Sequence, residues 1–229
     1  MLLLTGLFFL VQYNWWCGEA IPLRPGKNGQ QGGAAVPVGR RWKNGPMASN
    51  TDLNTDMTRF PLGTTRRVDA ERTELKFERH YSAPPESVWA MLTDPEKTQL
   101  WWAKVRGQAK AGSTFDLKWL NVKDEGHGIE TDWWYGRVVE ADAPHLLELS
   151  NSMHGRIRIT LEATAEGTLV RFNNTVAVPE EVVLMSLAGW HVHLDHLCEA
   201  LAGKSVDWQH WWDNFHPSWE QAHALYQAR

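Results

Sequence analysis

The run from Glu180 to Gly203, EEVVLMSLAGWHVHLDHLCEALAG, constrains this chain more than any other stretch. Val183, Leu187, Trp190, Leu194, Leu197 and Leu201 recur at steps of three and four, so a helix places them on one stripe. Pro179 precedes an acidic first turn, and Gly203 follows the last periodic residue as a stop signal. A helix of this length needs a broad apolar surface to lie on. The preceding hundred residues supply the strands that can form one.

Those strands read from alternation. In Arg72 to Tyr81, Leu75, Phe77 and Tyr81 face one way while Glu74, Lys76, Glu78 and His80 face the other. Ser82 to Glu86 starts a helix with the apolar face Val88, Trp89 and Leu92. Asp94 then caps a second helix whose first residue is Pro95 and whose end carries Leu100, Trp101 and Trp102. Phe115, Leu117 and Trp119 are the inward set of the next strand, and Asn121 to Asp132 is a polar, acidic loop. Four more strands are predicted at 133–140, 146–150, 156–163 and 169–178, with Glu166-Gly167 closing a hairpin between the last two. Short turns between consecutive strands make an antiparallel meander, one face of which the helix at 180–203 must cover.

The ends differ from this middle. Met1 to Val11 is apolar, yet it lacks a basic start and is too short to span a bilayer, which takes about 20 residues. Residues 18–65 are rich in Gly, Pro, Asn and Thr, and the expectation for 1–65 is an extension without a packed core, or an upstream over-reading of the true start. A cleaved export signal and a membrane-surface anchor are the alternatives for this segment. The domain is expected at 70–204. A tail at 205–229, with Trp208, Trp211, Trp212, Phe215 and Trp219, is expected to pack back on the domain or on a second copy, with a short helix over 218–228.

The net charge of -4 and the lack of a basic stripe argue against a nucleic-acid partner. Cys17 and Cys198 form no metal or disulfide framework, which suits a cytoplasmic, reducing location. His191, His193, Asp195 and His196 draw the eye, but at 100° per residue His191 and His193 flank the apolar stripe on opposite sides and His196 points away. The three histidines cannot meet on one ion, so no metal or other cofactor is expected. What stays open is structural His–Asp pairing or a histidine turned into a pocket.

The element order, together with Glu78 to Trp89 (ERHYSAPPESVW), Leu92-Thr93-Asp94-Pro95, Trp101-Trp102, Tyr135 to Pro144, Gly167 to Val170 and Gly189-Trp190 with Leu194, Asp195 and Leu197, resembles the SRPBCC (START/Bet v 1-like) superfamily. The activator of Hsp-90 ATPase homologue-like branch is the most similar. The resemblance implies an α+β helix-grip fold: a curved antiparallel sheet wrapped around a long C-terminal helix, with two short helices after the first strand. It also implies a cavity for a hydrophobic small molecule or lipid, and it carries over no catalytic residue.

With 14 tryptophans in the chain, the candidate cavity wall is largely aromatic. Trp89, Trp101, Trp102, Phe115, Leu117, Trp119 and Trp134 would come from the short helices and strands. Leu187, Trp190, His191, His193, Leu194 and Leu197 would come from the long helix. Three functional readings follow. The first is a binding module for a hydrophobic molecule. The second is a cyclase- or dehydratase-like enzyme using His191 or His193 with Asp195. The third is a chaperone-regulating domain, or one that self-associates through the Trp-rich tail.

Overall fold

The computed structural model describes residues 57–120 and 133–229. Among these are eight strands: β1 (Thr64–Arg67), β2 (Thr73–Tyr81), β3 (Lys104–Gly107), β4 (Thr114–Lys118), β5 (Trp134–Asp142), β6 (Leu146–Asn151), β7 (Gly155–Thr164) and β8 (Gly167–Val176). The helices are α1 (Pro85–Thr93), α2 (Pro95–Thr98), α3 (Glu180–Leu201) and α4 (Trp211–Gln227). The strands form one curved sheet in the order β1-β2-β8-β7-β6-β5-β4-β3, and every pairing is antiparallel. The protein is an α+β helix-grip fold.

Alternation sets the inner face. In β2, Leu75, Phe77 and Tyr81 are buried, and so is Arg79 between them. In the β7–β8 hairpin Ile159 pairs with Phe172 and Leu161 with Val170, while Ile157 stands opposite a polar residue, Asn174. A register irregularity between Val138 and Glu140 interrupts β5 against β6; such bulges bend a strand and increase its twist. Asp94 caps α2 as expected, its side chain accepting from the Glu96 amide at 2.9 Å. The α2 helix is a single turn, so Trp101 and Trp102 lie beyond its end.

Several elements depart from the sequence reading. The segment 1–65 was expected to lack structure, yet Met57 is buried and Thr64 and Thr65 belong to β1, which pairs with β2. All four residues of β1 are exposed, so the strand has no apolar alternation to reveal it. The edge strand β3 is equally silent, with only Val105 half-buried. The short helix expected over 218–228 is instead the 17-residue α4, which runs through Pro217. Proline there removes one backbone donor, and both Pro217 and Asp213, whose carbonyl it leaves free, are exposed to solvent. The segment 1–56 and the acidic loop 121–132 lie outside the described residues.

Helix α3 ends where expected, with Gly203 in the left-handed region at φ 84. Its predicted stripe is buried from Val183 to Leu197, and Leu201 is half-buried. Burial extends well beyond that stripe: every residue from Leu187 to Asp195 is covered. The second cover is α4, whose Trp211, Phe215, Trp219, Ala222 and Tyr226 recur at steps of three and four and are all buried. Trp219 Nε1 donates to the Met185 carbonyl of α3 at 3.2 Å. The tail therefore uses its apolar face within the chain. Phe215→Ala should cost about 3–5 kcal/mol of folding stability, read from urea unfolding, because its ring stacks on Trp211 at 4.5 Å and packs on His193.

Candidate functional site

Between the sheet and α3 lies a chamber walled by aromatic rings. Trp101 and Trp102 stack at 5.8 Å, and Trp102 also meets Trp190 of α3 at 5.8 Å. Trp190 in turn meets Phe172 of β8 at 4.5 Å. The unfilled space here is ≈ 10 Å³, bounded by Leu92, Trp101, Trp102, Leu147, Leu149, Ile157, Ile159, Phe172 and Trp190. That is room for about one water molecule.

Of the thirteen residues predicted for the wall, Trp101, Trp102 and Trp190 border this space. Phe115, Leu117, Trp119, Leu187, His193, Leu194 and Leu197 are buried core around it. Trp89 and Trp134 are half-buried and do not reach it. His191 is buried on the opposite flank of α3. The aliphatic floor of β6 and β7 (Leu147, Leu149, Ile157 and Ile159) did not figure among the predicted residues.

Two polar residues packed behind the chamber wall were not among the predicted residues either. His154 sits in the turn between β6 and β7, where Asn151 Oδ1 accepts from the amides of Met153 (3.0 Å) and His154 (2.6 Å). The turn closes on Gly155 at φ 70, where an added Cβ would collide with the Thr175 carbonyl oxygen. This folds the His154 ring inward against Trp102, Trp119 and Trp190, at 5.6, 5.5 and 5.7 Å. Asn174, on the inner face of β8, donates to the His154 carbonyl at 2.6 Å and accepts from Trp190 Nε1 at 2.9 Å. A polar residue in an otherwise apolar alternation (Val170, Phe172, Asn174, Val176) was the available signal.

The chamber carries no ionised histidine at neutral pH. Burial holds His154 down to about 3. Burial, and then the neighbouring His196, holds His193 down to about 3. His193 Nδ1 lies 3.3 Å from the Trp101 carbonyl and donates to it, so its lone pair is on Nε2.

The other flank of α3 holds a separate polar group. Tyr226 of α4 accepts from the Gly63 amide at 2.8 Å and lies 3.0 Å from His191 Nδ1. His191 Nε2 lies 3.8 Å from Asp195 Oδ2. Asp195 Oδ1 lies 4.0 Å from Nε of Arg79, which is wholly buried. Arg79 Nη1 donates to the Pro61 and Glu78 carbonyls at 2.8 and 3.0 Å, and its guanidinium lies over the rings of Phe60 and Phe77. Burial and the Arg79 charge hold His191 down to about 4, and burial pushes Tyr226 up to about 12. The histidine cluster of the sequence thus splits between two environments. Among the described residues no three His, Cys, Asp or Glu side chains gather as a metal site would require.

Two expectations follow. Asp195→Ala leaves the buried Arg79 charge without its carboxylate and should cost about 3–5 kcal/mol in urea unfolding, with much of that loss restored in the Arg79→Met/Asp195→Leu double variant. The folded state keeps His154, His191 and His193 neutral well below the ordinary 6.5, so the unfolded chain takes up their protons first. Stability should be full above pH 6.5 and fall steadily towards pH 4 and below. A flat urea midpoint across that interval would contradict neutral burial.

Comparison with known proteins places this geometry. Residues 82–202 match the family model described as Activator of Hsp90 ATPase homolog 1-like protein. No curated protein matches the chain. Among solved structures, a Bordetella parapertussis protein determined by solution NMR is similar at 25% identity and TM-score 0.53, covering 74% of this chain and 92% of its own. CalU16 from Micromonospora echinospora is similar at 19% identity and TM-score 0.51, covering 72% and 97%. A conserved Enterococcus faecalis protein of unknown function is similar at 17% identity and TM-score 0.53, covering 72% and 88%. These likenesses concern the fold.

Proposed function

The chain belongs to the Activator of Hsp90 ATPase homolog 1-like protein family, and from that premise we propose that it binds a hydrophobic small molecule in the chamber between the sheet and α3. The observation that carries this reading is the unfilled space at the grip itself, bordered by three tryptophans and six other apolar residues. Interiors elsewhere pack close to crystal density. A ligand of drug size needs a pocket of about 300 Å³ or more, so its admission has to displace part of the wall. The segment to move is α1–α2 and the turn after it, which contributes Leu92, Trp101 and Trp102. It is held by short elements, α2 being one turn long.

The split of the histidines favours binding over turnover. His193 reaches the aromatic wall but is held far below neutral pH and is poorly matched to acid–base work there. His191 and Asp195 face Arg79 and Tyr226, away from the chamber. Among the described residues no helix is long and apolar enough to cross a membrane.

Native mass spectrometry of the full chain, purified without denaturant, should show a non-covalent adduct that organic extraction removes. Adding uncharged naphthalene derivatives to the stripped protein should raise Tm and alter hydrogen exchange mainly over 85–103. Leu149→Phe, which fills the space, should abolish both effects while the protein stays folded. A stripped chain whose Tm no such probe moves would end this reading.

A further inference from the structure

Four indole rings surround the chamber, and their N–H groups differ in one respect. Trp101 Nε1 donates to the Met91 carbonyl at 2.9 Å, Trp119 Nε1 to Met153 Sδ at 2.9 Å, and Trp190 Nε1 to Asn174 Oδ1 at 2.9 Å. Trp102 Nε1 is buried with no hydrogen-bond partner among the described residues, and Trp102 borders the unfilled space. Its ring is in edge contact with His154, which stands behind it rather than at the border of the space and whose Nε2 is also buried without a partner among the described residues. Asn151 Nδ2 lies 3.3 Å from His154 Nδ1, and Asn151 Oδ1 is already taken by two amides. The amide nitrogen therefore donates to Nδ1, and the single proton of the neutral ring is on Nε2. Both unpartnered atoms are donors. Both belong to side chains more than nine-tenths buried, at 5% and 8% exposure.

A buried donor without an acceptor is costly, and native proteins rarely keep one without a reason. We propose that Trp102 Nε1–H and His154 Nε2–H read an acceptor oxygen on the molecule that the chamber binds, and so select an uncharged, largely apolar ligand bearing a ketone, ester or amide carbonyl. The proposal rests on the chamber being the binding site. The excluded classes follow from the same wall. None of the residues bordering the space is charged, so a carboxylate would lose its hydration with no cation to replace it. A pure hydrocarbon would leave both donors as they are. An alcohol could accept as well, but its own proton would then need a partner in an apolar wall.

The test uses three probes of one shape on the full chain: 2-acetylnaphthalene, 2-ethylnaphthalene and 2-naphthoate. By titration calorimetry the acetyl compound should bind about tenfold tighter than the ethyl compound, the factor expected of one hydrogen bond to an otherwise unsatisfied donor. The naphthoate should bind more weakly than the acetyl compound. In Trp102→Phe and in His154→Phe, which keep an aromatic ring, the acetyl preference should shrink towards parity. Should either variant fail to fold, the wild-type indole ¹⁵N–¹H resonance of Trp102 decides, because it should move downfield with the acetyl probe and stay put with the ethyl probe. Acetyl and ethyl binding equally in the wild type overturns the acceptor readout but leaves an apolar site in place; an ordered water then satisfies the donors. Naphthoate binding most tightly overturns the selection for an uncharged ligand. If no probe binds the wild type, the chamber reading fails and this proposal fails with it.

Discussion

The fold depends on burying α3 from both sides, and that burial runs through one charged pair. Arg79 stands on the inner face of β2, where alternation leaves it no route to water, and Asp195 on α3 is the carboxylate beside it. A guanidinium moved into the interior loses several kcal/mol of hydration unless oxygens and a counter-charge replace it. Here Nη1 bonds two backbone carbonyls, Asp195 stands 4.0 Å from Nε and two aromatic faces flank the guanidinium, while Nε and Nη2 make no hydrogen bond among the described residues. The pair also ties distant parts of the chain to one register. Pro61 precedes β1, Asp195 lies mid-helix, and through His191 and Tyr226 the contact reaches α4 and Gly63. Tyr81, the next inward residue of β2, adds a bond from its hydroxyl to the Leu194 carbonyl at 2.8 Å.

With α3 held on that flank, its other flank is free to be aromatic. Trp190 and His193 meet rings from the turn after α2, from the end of β4 and from the β6–β7 turn. Among the described residues this side has neutral imidazoles and no ion pair, so its polar atoms are few and each has consequences. Asn174 settles two of them by bridging the His154 carbonyl and the Trp190 indole. Trp102 Nε1 and His154 Nε2 are left without a hydrogen-bond partner among the described residues. The division between an ionic flank that fixes the helix and a neutral flank that encloses a space is the main functional lesson of the architecture.

Much of this was legible without coordinates. The 3.6 period of 180–203, the cap at Asp94 and the alternation of β2 and β4 are local statements that the chain obeys, and the hairpin expected at Glu166-Gly167 forms with its turn one residue earlier, at Ala165-Glu166. The opposite placement of His191 and His193 was also legible, since two residues on a helix differ by about 200°. Less visible were β1 and β3, edge strands whose side chains are almost all exposed and therefore carry no apolar rhythm. Pro217 hid α4, because a proline at the seventh helical position ordinarily ends a helix; the burial of Trp211 and Phe215 on one side of it and Trp219 and Tyr226 on the other outweighs one lost hydrogen bond.

What period and capping determine is which residues share a face. They place His191 and Asp195 together and His193 apart, and they mark the stripe that any partner surface must cover. They do not state what stands opposite. Arg79 and Asp195 are 116 positions apart, and Trp102 and His154 come from two turns that only the closed sheet brings into contact. Burial of a polar group is a property of all its neighbours at once. The unpartnered donors, the ionic clasp and the size of the chamber therefore emerge only when strands, helix and tail close on the same residues.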